Sequence, residues 1–187
     1  MARRKTISDE DVLAAAARVM FARGPTEFTL ADVAAEAGIA PATLVQRFGD
    51  KRGLVVAAIA QDNAAFASNM RALPPARGPE AVIDVFRQMF PEVGESNADY
   101  FADQLLWLRQ DMRDPDLNRL ARERFAVLRE VVAARMPDTP IEETLAAQLV
   151  EAQWQGALLQ WGLEPEGRLA DFVARSLQAW FNLIGAA

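Results

Sequence analysis

The chain has 187 residues, 51% of them hydrophobic, with a formal net charge of −6 and neither cysteine nor histidine. That composition excludes disulfides, zinc–thiolate centres, Cys–His or Ser–His nucleophilic catalysis and the usual acid–base group near neutral pH, leaving only carboxylate, Lys or Tyr chemistry. No apolar run reaches the roughly 20 residues of a membrane span, and MARRKTISDED lacks the apolar segment of a signal peptide, so a cytoplasmic protein without membrane contact is expected.

The acidic balance argues against a protein that coats nucleic acid indiscriminately, since such binding rests on many cations meeting phosphates. Charge is unevenly placed, however. Residues 1–53 hold eight Lys/Arg against seven Asp/Glu, whereas the remainder holds 12 against 19, a modest asymmetry that puts a polyanion contact near the N-terminus.

In chain order, Ser8 with Asp11 three positions on forms a capping-box pattern that opens a helix. Val12, Ala16 and Val19, with Leu13, Ala17 and Met20, recur at the spacing of one buried face, and Gly24-Pro25 ends the pattern. Thr29 caps a second helix, LADVAAEA, in which Leu30, Val33, Ala34 and Ala37 share a face and Gly38 supplies a turn residue able to take positive φ. Pro41 fits the first position of a third, short helix, whose inner anchors Leu44 and Phe48 lie four apart. That leaves Ala42, Thr43, Gln46 and Arg47 as its exposed positions. Asp50-Lys51-Arg52 begins a fourth helix, with amide groups and basic side chains suited to phosphate.

Two short helices joined by a tight glycine turn, with the small Ala34 at the crossing, describe a helix-turn-helix. A short helix whose outer face shows small residues, an amide and a guanidinium fits the roughly 12 Å major groove. Beyond residue 54 helices are expected throughout, at about 51–72, 78–92, 97–113, 115–136, 140–163 and 167–184, separated by proline- and glycine-marked breaks. The fold class is therefore all-α: an N-terminal three-helix helix-turn-helix DNA-binding domain over 1–53, then a larger helical ligand-binding and dimerisation domain over 54–187.

VLAAAARVMFARG followed by FTLADVAAEAGIAPATLVQRFGDKRGLV resembles the DNA-binding signature of the TetR family of bacterial transcriptional regulators, over about residues 8–56. WLRQDMRDPDLNRLARERF is similar to a segment in one branch of that family's ligand-binding domains. The resemblance implies a homodimer, a palindromic double-stranded DNA operator and a small-molecule effector that releases a repressor. The chain departs from the family at two places, with Val45 where Tyr is usual and Ala40 where Ser or Thr is usual.

With that signature in place, Thr29, Pro41, Ala42, Thr43, Gln46, Arg47 and Lys51 are the expected DNA-binding residues. Thr29, Thr43 and Lys51 are assigned to phosphates, and Gln46 and Arg47 to base edges, Gln reading adenine and Arg guanine. The Arg3-Arg4-Lys5 tail is either a minor-groove arm or a free basic terminus. Phe66, Met70, Tyr100, Gln104, Trp107, Phe125 and Trp154 are the expected effector-binding residues, although most large apolar side chains are simply core. No Lys or Arg lies between Arg52 and Arg71 or between Arg135 and Arg168, which favours a neutral or cationic, largely apolar effector. Glu142-Glu143 and Asp99/Asp103 make no catalytic dyad. No enzyme activity, cofactor or metal is expected; the alternative function is a helical ligand-binding or protein-interaction module that has lost specific DNA binding. Dimerisation is assigned to 140–163 and 167–184, with Leu145, Leu149, Gln153 and Gly156, and Ala152 nearby, on the contact face of the first, and with the apolar excess of Phe172, Leu177, Trp180, Phe181 and Ile184 on the second.

Overall fold

The computed structural model describes residues 7–89 and 98–185, and the backbone alone at 98–101. Among these the elements are all helices: α1 (Asp9–Glu27), α2 (Leu30–Ala37), α3 (Pro41–Phe48), α4 (Lys51–Arg71), α5 (Pro79–Arg87), α6 (Ala98–Arg113), α7 (Pro115–Ala133), α8 (Glu143–Leu163) and α9 (Leu169–Leu183). The chain divides into two compact units. The first joins residues 1–66 to Asp103–Glu123, and the second joins Ala67–Ala102 to Arg124–Ala187. The expected border at residue 53 falls near the start of α4, whereas the units divide inside that helix.

In the first unit, Ser8 opens α1 as expected: its hydroxyl accepts from the Asp11 amide at 3.1 Å and donates to the Asp11 carboxylate at 2.7 Å. Gly24 breaks the helical run at φ 73° and ψ 169°, and a helical turn from Pro25 to Glu27 follows. A Cβ added at Gly24 would lie 2.6 to 2.8 Å from the Asp103 carboxylate of α6, so a side chain there would displace that carboxylate as well as strain the backbone at its positive φ. The core collects Val12, Ala16 and Met20 of α1, Val33 and Ala34 of α2, Leu44 of α3, and Leu54, Val55 and Ala58 of α4, together with Phe28. Trp107 of α6 and Leu117 and Leu120 of α7 complete it.

The first unit also binds the start of α4 to the start of α7. The Arg52 guanidinium donates to both oxygens of Asp114, at 2.6 and 2.8 Å, and to Asp116 at 2.6 Å. Asp114 in turn accepts the amides of Asp116 and Leu117 at the head of α7. Hydrogen bonding from Arg52, with the two amides and the cation's charge adding to it, holds the Asp114 carboxyl below the usual range, and the same pair raises the Arg52 guanidinium.

In the second unit α8 and α5 both pack on α9. Phe86 meets Trp154 at a ring separation of 5.3 Å, and Leu177 and Phe181 are completely buried. Arg135 is buried without a carboxylate partner among the described residues; its guanidinium donates to the carbonyls of Val131, Leu73 and Pro74, which satisfies three acceptors at helix ends and in the proline loop.

Several helix ends differ from the expected ones, each for a local reason. α5 stops at Arg87, beyond which the Met89 amide tightens back onto the Phe86 carbonyl at 3.0 Å. The expected residues 90–92 of this helix lie outside the described residues. α7 stops at Ala133, where the Arg135 amide turns back to the Val132 carbonyl at 2.9 Å. α8 starts at Glu143 because the Glu142 carboxylate accepts the amides of Thr144 and Leu145, both at 2.9 Å. Those amide bonds also lower the Glu142 carboxyl.

Candidate nucleic-acid interface

The helix-turn-helix is assembled from local chemistry. Thr29 and Asp32 form a reciprocal capping box: the Asp32 amide reaches the Thr29 hydroxyl at 3.2 Å, and the Thr29 amide reaches the Asp32 carboxylate at 2.8 Å. The Thr29 hydroxyl also donates to Asp32 at 2.7 Å, and these bonds, with Arg23 nearby, depress the Asp32 carboxyl. At the other end of α2, Gly38 sits at φ 67° and ψ 32°, and the Ile39 amide returns to the Ala34 carbonyl at 2.9 Å. This is the left-handed helix end that glycine permits. A side chain with a Cβ would be strained at that φ even though the space around it is open.

α3 follows at once, with Pro41 in its first turn and no side-chain cap from Ala40. Leu44 is inserted into the core at 1% exposure, and Phe48 packs partly against it. Pro41, Ala42, Val45 and Gln46 are exposed, and Thr43 is half-buried.

Arg47 departs from its expected exposed position. Its guanidinium donates to the Ile7 carbonyl at 3.0 Å and to Asp9 at 3.1 Å, and only 21% of the side chain is accessible. The cation of α3 is therefore directed at the head of α1, because a carbonyl and a carboxylate converge on it there. Lys51 is likewise engaged: its ammonium lies 2.7 Å from the Phe28 carbonyl, 3.4 Å from the Pro25 carbonyl and 3.9 Å from the Phe28 ring centroid. An ammonium has three protons, so two carbonyls leave one for a further acceptor. Arg52, expected to suit phosphate, is directed at Asp114 and Asp116 as described above. The Asp50 carboxylate caps α4 by accepting the Gly53 amide at 2.7 Å. The Arg3-Arg4-Lys5 tail lies outside the described residues.

Residues 12–58 match the family model of bacterial regulatory proteins, tetR family. The amino-terminal segment is of the TetR family. Solved structures with the same fold span nearly the whole chain. A transcriptional regulator from Rhodococcus sp. Rha1 is similar over 96% of this chain and 98% of its own, at 21% identity and a TM-score of 0.68. A TetR transcription regulator from Haloarcula marismortui covers the same shares at 15% identity and a TM-score of 0.72. The multidrug binding protein EbrR complexed with proflavin is similar over 91% of this chain and 97% of its own, at 23% identity and a TM-score of 0.64. No curated protein matches in sequence. The TetR-type segment stops at residue 58, yet its core continues into Trp107, Leu117 and Leu120, which no local pattern in residues 1–58 announces.

The expected effector residues are divided between the units. Phe66, Gln104 and Trp107 belong to the first, and Met70, Phe125 and Trp154 to the second. Trp107 is a core residue of the TetR-type unit, 7% exposed and with its ring 6.4 Å from that of Phe21. Met70 and Trp154 are buried and Phe125 is half-buried in the second unit. The indole N–H groups of Trp107 and Trp154 and the amide nitrogen of Gln104 are buried without an acceptor among the described residues. Tyr100 has its side chain outside the described residues. A surface groove of about 530 Å³ lies on α1 and α2, crossed by the ion pairs Arg18–Glu36 and Arg23–Asp32, and none of the expected effector residues lines it. Among the described residues no His, Cys, Asp and Glu group is arranged to hold a metal, and no helix is long and apolar enough to cross a membrane.

Proposed function

We propose that this protein is a ligand-responsive transcriptional regulator that binds a palindromic DNA operator as a homodimer and is released by a small, largely apolar effector, in the manner of a repressor. The observation that carries the DNA-binding half is the short α3, anchored by Leu44 and presenting Pro41, Ala42, Val45 and Gln46 to solvent directly after the Gly38 turn. Such a helix enters the major groove while flanking groups hold phosphates. Thr43, the amide groups at the head of α2 beside Thr29 and the remaining Lys51 proton are the proposed phosphate contacts, and Gln46 is the proposed base reader. Arg47 acts by fixing α1 against α3.

A homodimer is supported by α8. Leu145, Leu149, Ala152, Gly156, Leu159 and Leu163 are all exposed and recur at alternating spacings of four and three, the seam of two packed helices. Gln153, expected on that face, instead donates to Ser176 of α9 in the same chain at 2.8 Å. The effector is proposed to contact Trp154, whose buried N–H offers a hydrogen bond among apolar neighbours. The stretch between Arg135 and Arg168 contributes no cation, which supports a neutral or positively charged compound.

The test is selection of bound sequences from a random DNA pool, followed by mobility shifts over a range of salt. An enriched palindrome with salt-dependent affinity is expected, and proflavin and malachite green, which EbrR binds, are the first effectors to titrate. An effector must bind the free protein more tightly than the DNA complex; equal affinity for both removes the compound as inducer.

A further inference from the structure

We propose that each operator half-site is read through thymine methyl groups, packed against Val45 and Ala42, with Gln46 on an adjacent adenine, rather than through an arginine–guanine contact. This rests on the DNA-binding reading above and specifies its chemistry. Along α3 the positions 42, 45 and 46 share one face by helical spacing, and all three are exposed, with the exposed Gly49 following as the helix cap. The face therefore consists of a methyl, an isopropyl group and one amide. Val45 is 48% exposed, an apolar side chain left in water by its own domain. The sole cation of the helix, Arg47, is drawn to Ile7 and Asp9. Guanine presents only acceptors in the major groove and calls for a fork of donors, which this face lacks; thymine presents a methyl, and adenine an acceptor and a donor that a glutamine amide matches. The β-branched Val45 holds essentially one rotamer in a helix, so its methyl surface is presented with little ordering cost.

The experiment uses the full chain and the palindrome recovered by selection. Each thymine of the half-site is replaced in turn by deoxyuridine, which removes only the 5-methyl group, and affinity is measured by fluorescence anisotropy for the wild type and for Val45→Ala. Effects of the methyl on DNA stiffness act on both proteins alike and cancel in the comparison. The wild type is expected to lose about fourfold in affinity per half-site at one or two positions, the scale of exposing one methyl-sized group. Val45→Ala should lose that sensitivity at one of them while keeping the adenine preference, which Gln46→Ala should relax. Equal binding of thymine and deoxyuridine probes, or an invariant guanine whose preference disappears in Arg47→Ala, overturns the proposal and leaves operator binding intact. Recovery of no palindrome overturns the DNA-binding reading itself.

Discussion

At the scale of single residues, adjacent polar side chains have opposite fates. Gln46 projects into solvent while Arg47, one position on, is held by groups 38 and 40 residues earlier in the chain. The helical spacing of Leu44 and Phe48 is legible in the sequence because it is local, and so are the caps of Ser8 and Thr29 and the Gly38 turn. The partners of Arg47 and Lys51 are not, since a cation's counter-group is set by tertiary approach and not by its own neighbours. Arg47→Ala is accordingly expected to lower the melting temperature and weaken every DNA sequence alike without relaxing base preference; a selection that returned a broadened half-site would contradict this. Thr29→Ala removes a reciprocal cap and should cost about 1 kcal/mol by urea unfolding at neutral pH.

At the scale of elements, most helices were expected within a few residues of where they lie, because prolines and glycines punctuate the chain. Their precise ends depend on capping carboxylates such as Glu142, which look in the sequence like ordinary surface charge. Asp114 carries the same lesson further, being at once the cap of α7 and the partner of Arg52. Its folded carboxyl titrates below the ordinary 3.8. The stabilisation it gives is therefore complete above that value and is lost as pH falls through the depressed folded value. Asp114→Asn keeps a competent cap but removes the charge, so its stability deficit should be largest near neutral pH and shrink in acid. Unfolding curves of the two proteins at pH 7 and pH 3 test this, and a deficit that grew with acidity would refute it.

At the scale of the whole molecule, an all-helical chain with a helix-turn-helix at its start was readable from periodicity and turn chemistry. The partition of the expected effector residues between two units was not, because hydrophobicity identifies what is buried and not with whom. Trp107 illustrates the point: an aromatic residue well separated in sequence from the TetR-type segment belongs to its core. The exposed seam of α8 predicts a particle of about twice 20.6 kDa by light scattering, and Leu149→Glu combined with Leu159→Glu should return it to one chain's mass. The core of the first unit is completed by the distant segment 103–123, which adds Trp107, Leu117 and Leu120 to the buried residues of the first 66. A fragment ending at residue 66 should show neither a cooperative thermal transition nor ordered tryptophan-free helices by circular dichroism. For anyone building hybrid regulators, the unit of exchange is thus not the contiguous reading head at the start of the gene: a graft onto a foreign sensor must carry the cassette around Trp107, Leu117 and Leu120 with it, and recombination at a single crossover would strip those side chains from the core they close.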